Sequence, residues 1–157
     1  MDSSQALAFK TLLETQQVAA LGTLHNGEPS VSMVPFALLP QGAGLVIHVS
    51  QLAAHTKDML ANPEVSLLVT ASPAADMAVH ALPRASIQGL ARQCPSNAPD
   101  YAEARRVYLA RFPYSEEMFS FSDFSLFAVA VRSVRFVGGF GQAASITAER
   151  FAAIMGN

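Results

Sequence analysis

The chain has 157 residues, 51% of them apolar and only 14% charged, with a formal net charge of −2. That supplies one folded domain, residues 1–157, with a real core, and is too short for two comfortable ones. The charge balance argues against a nucleic-acid binder, the single cysteine, Cys94, excludes an intramolecular disulfide, and no apolar run approaches the ~18 residues of a membrane span.

Residues 1–17 carry Asp2, Lys10 and Glu14 and lack the apolar stretch of a secretory leader, so a cytoplasmic protein is expected. So few charges among so many apolar residues also point to surface buried against a second subunit, hence a homodimer. Arg105, Arg106 and Arg111, diluted by Asp100 and Glu103, read as a solvated helix face.

In chain order, residues 5–16 place Leu7, Ala8, Leu12 and Leu13 near helical spacing. Val18 to Leu24 reads as a strand, and Asn26-Gly27 is a hairpin signal because both residues tolerate positive φ. The return strand is expected over Ser30 to Leu39, with Pro35 implying an edge, a bulge or a ladder position that needs no donor. After the turn at 40–44 comes a strand at Leu45 to Val49. A helix near Ala53–Ala61 follows, stopped by Asn62-Pro63, and then a strand at Val65 to Thr70. Ser72 to Ala78 reads as a loop. Arg84 to Gln93 reads as a fifth strand, with Gly89 a bulge or a close approach. Pro99 opens a helix with Tyr101, Ala104, Tyr108 and Phe112 on one face, and Pro113 ends it. Phe124 to Val131 and Ser133 to Val137 read as two closing strands, 138–141 as a glycine loop, and Thr147 as the cap of a helix over 148–155. The sum is a small antiparallel barrel of about six strands with flanking helices.

The segment from Ser50 to Asp58 combines Lys57, one of only two lysines, with the hydroxyls of Ser50 and Thr56 beside a helix start. A phosphate needs that mixture of point charge, hydroxyl donors and free N–H groups. An ordinary surface helix with Lys57 and Asp58 facing water needs it equally, and the residue types alone favour the latter. His25, His48, His55 and His80 show no i, i+4 pairing, so no zinc site is expected. His48 alternates with Ile47 and Val49 and reads as a partly buried strand residue. Neither G-x-S-x-G nor G-x-G-x-x-G is present, and no side chain stands out as a general acid or base.

The run Val49-Ser50 … His55-Thr56-Lys57 … Asn62-Pro63-Glu64-Val65-Ser66-Leu67 resembles the phosphate-binding segment of the pyridoxamine-phosphate-oxidase-like, FMN-binding split barrels. Residues 27–36 resemble that family's second strand and Arg84-Ala85-Ser86-Ile87-Gln88-Gly89 its cofactor-facing strand. Asp123-Phe124-Ser125-Leu126 with Gly138-Gly139-Phe140-Gly141-Gln142-Ala143 looks like the haem-utilisation branch. The resemblance implies a homodimeric, six-stranded antiparallel FMN-binding split barrel, without the C-terminal domain of longer members. FMN would lie in a groove between subunits, its phosphate held by Ser50, Thr56, Lys57 and Arg84, with His55 a further donor. Ser32, Met33, Val34 and Pro35 would follow the ring edge. Thr56 stands where many members place an arginine, which leaves one charge fewer. The implied activity is a flavin-dependent oxidoreductase acting on an unknown small molecule. Two alternatives stay open: a haem-binding or haem-degrading protein with an axial ligand such as His25 or His80, and a cofactor-free interaction module.

Overall fold

The computed structural model describes residues 1–156. Helix α1 (Ser3–Thr15) opens on a reciprocal cap: the Asp2 carboxylate accepts from the Gln5 N–H at 2.8 Å, and the Gln5 side chain accepts from the Asp2 N–H at 3.1 Å. Strands β1 (Val18–His25) and β2 (Glu28–Pro35) form the expected hairpin, with Asn26 and Gly27 both at positive φ and His25 paired with Glu28. Strands β3 (Ala37–Leu38) and β4 (Leu45–Ser50) precede helix α2 (Ala54–Ala61). Then come β5 (Glu64–Thr70), β6 (Arg84–Cys94), helix α3 (Tyr101–Arg111), β7 (Phe124–Gly139), β8 (Gln142–Thr147) and helix α4 (Ala148–Met155).

The strands form one antiparallel sheet in the order β2-β1-β5-β6-β7-β4-β3, with β8 paired to β7. Its two ends are consecutive in the chain. β2 pairs with β1 at one edge, the chain passes through the buried Phe36, and β3 pairs with β4 at the other edge. The barrel is therefore closed there by the covalent chain rather than by a hydrogen-bonded ladder. Pro29 and Pro35 are tolerated because β2 is an edge strand with a ladder on one side only.

The expectation of six strands is corrected to eight: the return strand breaks at the buried Phe36 into β2 and β3, and a further strand, β8, follows β7. The two closing strands are one, because β7 carries an extra residue, Arg132, opposite the Gln88/Gly89 step of β6, and this bulge breaks the apolar alternation. The glycine loop is also only a tight turn, beyond which β8 adds a strand whose sole large inward residue is Ile146. Gly89 proves to be the close approach, opposite the bulge in β7, since a Cβ there would lie 2.5 Å from the Ala130 carbonyl oxygen.

The barrel interior is filled by Leu21, Ile47, Leu67, Ile87, Phe127 and Phe136, with Phe9 of α1 edge-on to Phe136 at 5.4 Å. A second apolar cluster lies outside the barrel wall, where Tyr108 and Phe112 of α3 cover Val46 and Leu126. β4 is thus covered on both faces, which accounts for its uninterrupted apolar run. Arg111, expected on a solvated face, instead turns inward. It donates to the carbonyls of Leu13 and Gln16 at the end of α1 and lies 5.1 Å over the Phe36 ring. Among the described residues no helix is long and apolar enough to cross a membrane.

Candidate functional site

Helix α2 crosses the end of the β1–β2 hairpin and carries His55, Thr56, Lys57 and Asp58. Two of the expected phosphate ligands are engaged in holding its entry turn. The Thr56 hydroxyl, 1% exposed, donates to the Ser50 carbonyl at 2.6 Å. The Ser50 hydroxyl donates to Asp123 at 3.1 Å and accepts from the Leu52 N–H at 3.1 Å. Lys57 is exposed beside them.

His55 faces the edge strand, where its Nδ1 lies 3.0 Å from the Ser32 hydroxyl. Burial pushes its pKa down, against the opposing pull of Asp58. The other predicted strand residues divide between two faces. Val34 is buried in the barrel, whereas Met33, 64% exposed, points outward and Pro35 is half-buried. Arg84 is far from this group. It pairs with Thr70, six residues along β5 from Glu64, which is ~20 Å at strand rise. Its guanidinium donates to the carbonyls of His80 and Leu82, closing the turn before β6. The structure therefore gathers Ser32, Ser50, His55, Thr56 and Lys57 around α2, while Arg84 stands at the other end of the sheet.

The best-built cluster here is one that the sequence reading missed. Asp58, expected to face water, is 4% exposed and accepts from the Thr23 hydroxyl at 2.8 Å and from His25 Nδ1 at 2.7 Å. The hydrogen bond from His25, then that from Thr23, holds its carboxyl below the usual carboxylate range. Nothing local links position 58 to positions 23 and 25. The only available signal is that three polar residues fall on faces where apolar ones would otherwise be buried.

The outer face of the β1–β2–β5 sheet is apolar and open. Val31 is 73% exposed, and Val18, Met33 and Leu68 stand beside it. Next to them a cleft of about 480 Å³ is lined by Gly22, Leu24, Pro29, Ser66, Gln88 and Arg132, among others.

Residues 2–153 match the family model described as CREG, beta-barrel. The chain belongs to the CREG β-barrel family. It is 37% identical over 138 residues to the chloroplastic non-canonical haem oxygenase HOZ of Arabidopsis thaliana, an alignment covering 86% of this chain and 40% of that protein. A haem-binding protein from Mycobacterium smegmatis superposes with a TM-score of 0.85 at 30% identity, covering 98% of this chain and 62% of the other. The chain thus spans less than two thirds of the length of either relative. A Clostridium acetobutylicum protein of the pyridoxinephosphate oxidase family shares the fold, with a TM-score of 0.70, 9% identity, and 96% and 99% of the two chains covered. The split-barrel resemblance and its haem-utilisation branch are both borne out at the level of family and fold.

Proposed function

We propose that this chain is a haem-binding member of the family and works as a homodimer, with haem rather than FMN as its resident group. The observation that carries the reading is the state of the phosphate site. Thr56 and Ser50 already spend their hydroxyls on the β4–α2 turn, and Arg84 caps a turn of its own. A flavin phosphate would find one exposed lysine, Lys57, which fits that dianion poorly.

Haem asks for something else, a broad apolar wall and a few polar groups for its two carboxylates. The outer face formed by Val18, Val31, Met33 and Leu68 provides the wall, and the adjoining cleft holds Ser66, Gln88, whose oxygen accepts from Ser133, and Arg132, ion-paired with Glu64 at 3.1 Å. When bound, haem supplies an iron centre capable of dioxygen chemistry. The chain's residues bind the porphyrin, orient it and exclude water from one side. A second protomer set against the same outer face would cover the other side and remove the exposed apolar surface. The names of the Arabidopsis haem oxygenase and of the Mycobacterium haem-binding protein support the same group. FMN is the second reading, favoured by the exposed Lys57 and by the edge strand carrying Ser32 and Met33.

The test is absorbance of freshly purified protein before and after addition of hemin. A saturable Soret band is expected. A retained flavin spectrum and no response to hemin would reverse the assignment.

A further inference from the structure

The outer face of the sheet changes character from one side to the other. Strand register sets Met33, Ala20, Leu68, Ser86, Arg135 and Ser145 in one cross-strand row, running from β2 to β8. Residues directly opposite one another share a face, so Arg135 lies on the same side of the sheet as the exposed Met33. The neighbouring row runs from Val31 to Ser133 and Thr147 in the same way. Both rows are apolar at the β2 edge and polar where they reach β7 and β8.

The polar ends form a second cleft of about 350 Å³, which shares Gln88, Arg132 and Ser133 with the 480 Å³ one. Among the described residues lining it there is no Asp or Glu. The strands carry Arg84, Arg92, Arg132 and Arg135, and the first three are committed. Arg84 donates to the carbonyls of His80 and Leu82, Arg92 is paired with Asp100 at 2.6 Å, and Arg132 with Glu64 at 3.1 Å. Arg135 donates only to the neutral Ser145 hydroxyl, at 3.1 Å, and has no carboxylate partner among the described residues. Ser145 accepts there and keeps its own proton to donate, and the exposed Ser86 hydroxyl stands on the other side of Arg135 in the row. A solvated arginine needs no acid either. This one, however, sits in a concave site at the border of an apolar wall, where a ligand with an apolar body and an acidic end changes from one to the other.

We infer that Arg135, with the hydroxyls of Ser86 and Ser145, receives a carboxylate of the porphyrin whose ring lies on Leu68 and Met33. The inference rests on the haem reading above. Leu68 and Arg135 are two strands apart, ~10 Å at ladder spacing, within reach of an acid arm from a ring on the wall. Arg132 is the poorer receptor, because a ligand carboxylate would have to displace Glu64.

The test titrates hemin and hemin dimethyl ester, whose acids are blocked, into wild type, Arg135→Ala, Arg132→Ala and the control Arg92→Ala. Arg135→Ala should weaken hemin binding ~10-fold and leave the ester's affinity unchanged. Wild type should prefer hemin to the ester, Arg135→Ala should lose that preference, and Arg92→Ala should match wild type. Iron-free protoporphyrin, followed by its fluorescence, should show the same loss, since the contact is to the acid and not to the metal. Circular dichroism checks that each variant is folded. If wild type binds hemin but Arg135→Ala keeps the preference, loses both ligands equally or loses hemin alone among the free acids, the assignment is overturned and the haem reading stands. Loss of the preference in Arg132→Ala instead would also overturn it. If wild type gives no saturable Soret change with hemin, both fall together.

Discussion

His48 makes a quantitative prediction about stability. Its imidazole is 6% exposed, stacked on Phe119, with Tyr108 edge-on at 5.6 Å and Phe124 at 5.2 Å. Its Nδ1 has no hydrogen-bond partner among the described residues. Burial lowers its pKa from 6.5 to about 4, so the folded protein holds the ring neutral where the unfolded chain would protonate it. The unfolded state therefore binds more protons between those two values, and stability must rise with pH across that window. The contribution is fully present above the unfolded value and is lost as pH falls towards the folded one. Linkage with these pKa values gives a loss of about 2 kcal/mol between pH 7 and pH 5. Urea unfolding at the two pH values measures it. His48→Phe keeps the aromatic stack and removes the titrating ring, so its stability should change far less over the same interval. A smaller slope of the same sign should remain from His55, whose pKa is also lowered by burial. If His48→Phe lost as much stability as wild type, the pH dependence would have to come from elsewhere and the buried-neutral account of this ring would be wrong.

Three other outcomes test separate parts of the structure. Thr56→Val leaves the Ser50 carbonyl without its 2.6 Å donor and should cost ~1–3 kcal/mol in urea unfolding, while any affinity for FMN stays unchanged. Gly89→Ala drives a methyl group against the Ala130 carbonyl and should cost about 1–3 kcal/mol, read as a lowered thermal midpoint. Val31→Lys combined with Met33→Lys places two charges on the open outer face. Light scattering should then report a monomer with an unchanged circular dichroism spectrum, and a persistent dimer would place the subunit contact on another surface.

What was legible in the sequence had a local cause. The Asn26-Gly27 turn, the Asn62-Pro63 stop, the Thr147 cap and the close approach at Gly89 each depend on backbone preferences of one or two residues, and each is where it was expected. β8 was not legible because Gln142–Thr147 is built from small and polar residues that gain strand structure from pairing with β7, not from their own propensity. The unity of β7 was hidden for a related reason, since the unpaired Arg132 resets the alternation from which a strand is read. At the site, the gathering of Ser32, Ser50, His55, Thr56 and Lys57 followed from the resemblance. The engagement of Ser50 and Thr56 did not, because a hydroxyl that binds a ligand and one that braces a turn look alike in a sequence. The Asp58–His25 contact spans 33 residues and exists only once α2 folds over the hairpin.

Parallel titrations of one preparation with hemin and with FMN, following the Soret band and flavin fluorescence, test the central assignment most directly. The account predicts saturable hemin binding at micromolar concentration or below, with flavin emission nearly unquenched over the same range. Tight quenching of FMN, relieved by Lys57→Ala and accompanied by no saturable Soret change, would contradict it.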